Sequence, residues 1–247
     1  MSRGRFAADS FSYVDRTVEG RDLVAIATDH LKEAPAFWGR YFKRPGYARD
    51  FSPFRESAIF NRHGIKLMPI ARQTTGVGGT VDRGLQDGDA NVDAFIDAVG
   101  VETLAAAGRE FLMFLDVEDI PLSLQYFIGW SNALHQRSKE RSGGRFEILP
   151  AVYARTSDET TWRVLVHAAD LGHKTAGAWV IRMRRGACES LTDWDPSFFM
   201  PAVTLPCPVM AWQFALDCYG KSLDFSIINP NEDAADALLS RLVIPRA

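Results

Sequence analysis

Two carboxylates one residue apart, Asp116 and Glu118, close the run F-L-M-F-L-D-V-E-D-I (Phe111 to Ile120), and a third, Asp119, follows them. The apolar residues ahead of them describe a buried strand that surfaces among carboxyl groups. Residues two apart on a strand point the same way. A rise of about 3.3 Å per residue puts the two Cα atoms about 6–7 Å apart. A carboxyl resting on apolar side chains beside other carboxyls holds its proton more tightly than a solvated one. That is the property of a general acid working near neutrality. The competing reading is that these acids cap the next helix and bind solvent. Asp119, of opposite parity and close to the next helix start, fits that second reading best.

The elements that would position the pair alternate along the chain. Eight β-rich runs stand out: Phe6–Phe11, Ala36–Phe42, Ile65–Ala71, Phe111–Val117, Phe146–Ala154, Ala176–Met183, Val209–Ala215 and Leu223–Ile228. Helical spacing of apolar residues predicts helices over Arg21–Ala34, Ser52–His63, Asp89–Ala107, Leu122–Arg141 and Ser157–Leu171, and one within Asn229–Val243. Ser52, Ser157 and Asn231 are the expected N-caps. No clear helix follows the sixth strand. Alternation of this kind implies a parallel sheet. Eight strands in 247 residues predict a (β/α)8 barrel of the TIM type, one α/β domain over residues 1–247, irregular after the sixth strand. The glycine-rich T-T-G-V-G-G-T after the third strand lacks the G-K-[ST] ending of a phosphate loop. It reads as a mobile loop beside the site.

A barrel of this type works at the C-terminal ends of its strands. Asp9 ends the first strand, Arg40 and Tyr41 the second, and Arg72 and Gln73 the third. Tyr153 and Arg155 end the fifth, and Arg182 the sixth. Trp212 and Gln213 lie on the seventh, and Asp224 on the eighth. Carboxylates thus converge from the first, fourth and eighth strands. Leu112 and Phe114 share the parity of Asp116 and should fill the barrel beneath it. Phe111, Met113, Leu115 and Val117 should face the helices. Tyr41, Tyr153, Trp194 and Trp212 offer flat faces suited to stacking on a sugar ring. The histidines fall on helices (His30, His135, His167) or in helix-to-strand loops (His63, His173), outside any zinc-site pattern, so no metal or other cofactor is expected.

The net charge of −3 argues against a nucleic-acid partner. No stretch is long and apolar enough to span a bilayer. The opening M-S-R-G-R-F-A-A-D-S has no apolar run after its arginines, so no signal peptide is expected there. Cys188, Cys207 and Cys218 form no metal spacing. Cys188 could pair with Cys207, but three unpaired thiols are the expectation. The chain is expected to act as a monomer.

The strand ending L-D-V-E resembles the D-x-E strand of glycoside hydrolase family 25, the lysozyme-like muramidases. It also resembles a related glycoside-hydrolase-like domain of bacterial exported proteins. Asp9-Ser10, G-R-Y-F, A-V-Y-A with Tyr153, A-W-V-I-R, A-W-Q-F and L-D-F resemble that family's other strands, in order. The resemblance implies cleavage of a cell-wall glycan, with peptidoglycan as partner and the wall or extracellular space as site of action. It implies Glu118 as general acid, Asp116 as its partner carboxylate, and Asp9 and Asp224 as tuning acids. Tyr41, Gln73, Tyr153, Arg182, Trp212 and Gln213 are the candidate substrate contacts. The alternatives are a glycan-binding barrel without turnover, and a metal-dependent phosphodiesterase using the same acids as ligands.

Overall fold

The structure is a computed structural model that describes residues 5–246. Eight strands close a barrel: β1 (Phe6–Asp9), β2 (Phe37–Phe42), β3 (Lys66–Ala71), β4 (Glu110–Val117), β5 (Glu147–Arg155), β6 (Ala178–Ile181), β7 (Val209–Asp217) and β8 (Leu223–Ile228). The first seven run parallel, and β8 runs antiparallel to both neighbours, β7 and β1. This corrects the all-parallel expectation for the last strand. Only the turn between Asp217 and Leu223 joins β7 to β8. A parallel crossover needs a dozen or more residues, so a hairpin is the only connection of that length.

The strands sort their side chains as the parity of β4 requires. Leu112 and Phe114 lie inside the barrel with Phe37, Met68, Ile70, Ala151, Tyr153 and Trp179. Phe111, Met113, Leu115 and Val117 join the outer core beneath the helices. Trp179 plugs the barrel centre. Its ring lies 4.4 Å from that of Tyr153 and 5.9 Å from those of Phe37 and Phe114. Its Nε1 donates to Ser226 Oγ at 3.1 Å. Gly39 makes room for this arrangement, because a Cβ there would stand 2.7 Å from Asp9 Cβ and 3.3 Å from the Trp179 ring.

The helices are α1 (Leu23–Leu31), α2 (Pro53–His63), α3 (Val81–Val99), α4 (Val101–Ala107), α5 (Leu124–Ser142), α6 (Glu159–Asp170), a four-residue α7 (Pro196–Phe199) and α8 (Glu232–Leu239), besides a kinked turn at Cys218–Lys221. Asn231 caps α8 as expected. At α6 the cap is Asp158, not Ser157, its carboxylate accepting from Thr161 N–H. Helix α3 begins eight residues before the predicted Asp89, at the Thr80 cap. Gly84 and Gly88, in the stretch before the predicted start, serve helix packing. Added Cβ atoms would meet the α5 backbone at 2.2 Å (Tyr126 O) and 2.9 Å (Trp130 O). From the α5 side, a Cβ on Gly129 would stand 2.0 Å from Val81 O.

This crossing makes a sharp prediction. Gly to Ala inside a helix ordinarily stabilises it by about 1 kcal/mol. At Gly129 the sign should reverse, with overpacking costing about 1–3 kcal/mol. Thermal unfolding of Gly129→Ala against wild type measures it, and an unchanged or raised melting temperature would refute the close crossing.

Candidate active site

Asp9, Asp116, Glu118 and Asp224 meet at one mouth of the barrel. Asp9 ends β1, Asp116 is the penultimate residue of β4, and Glu118 follows that strand directly. Asp224 stands at the start of β8. In a parallel strand that position would lie at the opposite face; the antiparallel run brings it opposite Asp9 in the ladder. Asp9 and Asp116 are only 1% and 2% exposed. The Glu118 side chain keeps 22% of its surface and faces Arg155, with Nη2 and Oε1 3.5 Å apart. Asp119 is exposed.

The electrostatics follow from this crowding. Burial, then the charges of Asp224, Glu118 and Asp116, hold the Asp9 carboxyl well above the usual range. Burial and the Glu118 charge do the same at Asp116, with Arg72 opposing. Burial raises Glu118, and Arg155 restrains the rise. Burial pushes Asp224 up to about 7, although Asp217 N–H donates to its Oδ1 at 2.7 Å. Tyr153, buried beneath these acids, and Tyr41, half-buried beside them, are likewise raised and stay neutral phenols. Among the described residues, Asp9 Oδ1, Asp116 Oδ1, Arg72 Nη1 and Gln213 Nε2 are buried without a protein hydrogen-bond partner. Such orphans are uncommon in a folded interior, and four of the nine among the described residues lie at or just beneath this mouth.

The other candidates divide. Tyr153 donates to Gln213 Oε1 inside the barrel, so these two form one unit beneath the acids. Tyr41 is half-buried under the Arg72 guanidinium, which lies 5.5 Å from its ring centre. Gln73 is buried where β3 ends, its carbonyl accepting from Gly76 N–H at 2.8 Å. Arg182 is exposed on the rim beyond β6. Trp212 must be withdrawn as a sugar-stacking residue. It points outward, stacks on Phe199 at 4.6 Å and donates from Nε1 to Arg182 O at 2.8 Å. Trp194 packs on the same Phe199 at 4.5 Å, also outside the barrel.

Arg40 also leaves the mouth. It is fully buried behind β1 and β2, paired with Glu56 of α2 at 2.8 Å. Its Nη1 donates to Ser10 O at 2.7 Å, and Glu56 accepts from Val14 N–H at 3.1 Å. The pair thereby fixes the chain leaving Asp9. Ser10 itself is occupied, accepting from Trp38 Nε1 at 2.9 Å. The glycine-rich loop is tied down rather than free: Ser123 Oγ donates to Gly79 O at 2.6 Å, and Ser123 N–H to Val77 O at 2.9 Å. Among the described residues, no group of three or more His, Cys, Asp or Glu is disposed to hold a metal ion.

The cysteine expectation is overturned. Cys188 is bonded to Cys218, and Cys207 is free. The bond joins the long segment after β6 to the β7–β8 turn, where Asp217 and Tyr219 carry positive φ of 57° and 52°. That turn supplies the N–H that Asp224 accepts. Disulfides persist in oxidising surroundings. With a sequence separation of 30 between its ends, this one should add about 2–4 kcal/mol. Melting with and without a thiol reductant measures this, Cys188→Ala serving as the control that should no longer respond.

No family model matches the chain, and no curated protein does. Solved structures share its fold. An uncharacterized protein of B. stearothermophilus is 16% identical over 97% of this chain and 100% of its own, with a TM-score of 0.61. The catalytic domain of endolysin ply40 from bacteriophage P40 of Listeria monocytogenes is 16% identical over 98% and 99%, with a TM-score of 0.57. A family GH25 lysozyme from Aspergillus fumigatus is 14% identical over 94% and 98%, with a TM-score of 0.52. The likeness is one of fold: the chain shares its barrel architecture with these structures. Among the described residues no helix is long and apolar enough to cross a membrane.

Proposed function

We propose that the protein is a glycoside hydrolase that cuts a cell-wall glycan in the manner of a muramidase. The observation that carries the proposal is the meeting of four acids from β1, β4 and β8 at one barrel mouth, of which Glu118 combines a raised pKa with solvent access. Glu118 protonates the glycosidic oxygen as the bond to the anomeric carbon breaks, and a water molecule then adds its oxygen to that carbon and gives its proton to a carboxylate of the mouth, leaving a new reducing end. Asp116, on the same side of β4 and with Arg72 opposing the effect of its burial, faces the positive charge that develops on the sugar. That charge itself favours the carboxylate, so Asp116 interacts most strongly when the barrier is crossed. Asp9 and Asp224 share the remaining protons and keep the mouth from carrying four full negative charges. The Tyr153–Gln213 unit, buried beneath the acids, supports the floor of the site. Tyr41 and Gln73 border it. The endolysin and lysozyme names of the similar structures agree with this reading.

The test is release of new reducing ends from purified peptidoglycan by the whole protein. Soluble fragments with a reducing muramic acid end support the proposal. Tight binding with no new reducing ends would replace it with the glycan-binding barrel.

A further inference from the structure

A second depression, of different chemistry, adjoins Glu118. It opens between the ends of β5 and β6, holds about 470 Å³, and is lined by Arg155, Thr156, Ser157, Ile181, Arg182 and Met183 among others. The register explains the meeting. Arg155 lies opposite Ile181, so Arg182 follows one step beyond it on the adjoining strand. Arg155 approaches Glu118 to 3.5 Å, so the depression shares a wall with the proposed acid. The Arg182 guanidinium lies 4.5 Å from the centre of the Phe198 ring, which holds it against an apolar face. Arg182 has no carboxylate partner among the described residues. The other acid at the rim, Glu159, is paired with Arg163 at 3.3 Å. Arg184, beside the same Phe198 ring at 5.7 Å, adds a further positive charge.

A chain of net charge −3 has therefore gathered guanidiniums on one flank of its mouth. Two like charges facing one hollow repel, and the arrangement becomes favourable when an oxyanion sits between them. Guanidinium forks match a carboxylate better than a neutral hydroxyl, and the aromatic backing of Arg182 reduces the freedom lost on binding. The hydroxyls of Thr156 and Ser157 border the same hollow and suit the remaining oxygens of a sugar substituent.

We infer that this depression is a subsite for an anionic substituent of the glycan, so that the enzyme selects acidic strands over neutral ones through Arg182 and Arg155. The inference rests on the glycosidase reading for its substrate, but binding tests it without turnover. Glycan strands stripped of their peptides, with carboxyls free, would be titrated into Glu118→Gln protein by calorimetry. The same strands with carboxyls converted to amides, and strands carrying phosphate instead, form the comparison arms.

Free-carboxyl strands should bind about tenfold or more tightly than amidated ones, and Arg182→Gln in the same background should bring that ratio close to one. Arg182→Lys should restore part of it, since the charge returns without the fork. Phosphate strands binding as tightly as carboxylate strands would identify the site as a general oxyanion subsite, within the inference. Equal affinity for charged and amidated strands, no binding of either, or a preference that survives Arg182→Gln would overturn it. Turnover is read separately with wild type. Strands bound with preference but never cut would remove the glycosidase reading alone, and strands cut without preference would remove the subsite alone.

Discussion

Glu118→Gln is expected to slow reducing-end release by about 10²–10⁴-fold, the contribution of a positioned general acid. The amide has the shape of the acid but no proton to give to a leaving oxygen. KM should move little, because the lost interaction belongs to the transition state rather than to the bound sugar. The fold should be indifferent to the change. Glu118 is partly exposed, and its contact with Arg155, itself 47% exposed, is a surface pair of small net value. Removing an ionisable group that burial disfavours is at worst neutral for stability. Asp119→Asn is the matched control. Asp119 is the last acid of the same D-V-E-D run and is exposed to solvent, so activity should stay within about twofold. Equal rates for Glu118→Gln and wild type would end the assignment, whatever the substrate.

The division between what could and could not be read from the chain has physical causes. Strand parity is a local rule, so the inside and outside residues of β4 were legible from F-L-M-F-L-D-V alone. The same rule, applied to A-W-Q-F, would have separated Trp212 from Gln213, since neighbours on a strand cannot both face the mouth. The direction of β8 was legible too, in the short gap between V-M-A-W-Q-F-A and L-D-F-S-I-I. That direction decides whether Asp224 belongs to the site. Arg40 was not legible. Its partner Glu56 comes from a helix, and only the packed barrel brings the two into one buried pair. The Cys188–Cys218 bond likewise depends on where a long irregular segment lies, which no periodicity encodes. The start of α3 was missed because glycine, a helix breaker by propensity, is at Gly84 and Gly88 also the residue that lets two helices touch.

The acid cluster should also make the protein less stable as pH rises toward neutrality. The Asp224 carboxyl titrates at about 7 in the fold, against an ordinary value of 3.8. Between these values the folded state holds a proton that the unfolded chain has released. Its stabilising contribution is therefore complete below the unfolded pKa and is lost as pH rises through the folded one. The full shift corresponds to about 4 kcal/mol, and screening of a carboxyl that is not wholly enclosed reduces this to about 2–4 kcal/mol. Asp9, Asp116 and Glu118 are all raised and act in the same direction. His30 and His135, lowered by burial, oppose the trend below about pH 6.5, so the decline is read as the difference between wild type and Asp224→Asn, which share both histidines. Asp93, which burial would raise but Arg137 and Arg141 hold down, and Glu147, held down by Lys139, lose their contributions only in more acidic solution. Denaturant unfolding of wild type and Asp224→Asn at several pH values between about 4 and 8, the window between the two values, measures the slope. Asp224→Asn, which cannot ionise, should be more stable than wild type at the alkaline end by about 2–4 kcal/mol and close to it near pH 4. An Asp224→Asn protein that gains nothing over wild type as pH rises from about 4 to 8 would mean that this carboxyl ionises freely and that the mouth does not hold protons for catalysis.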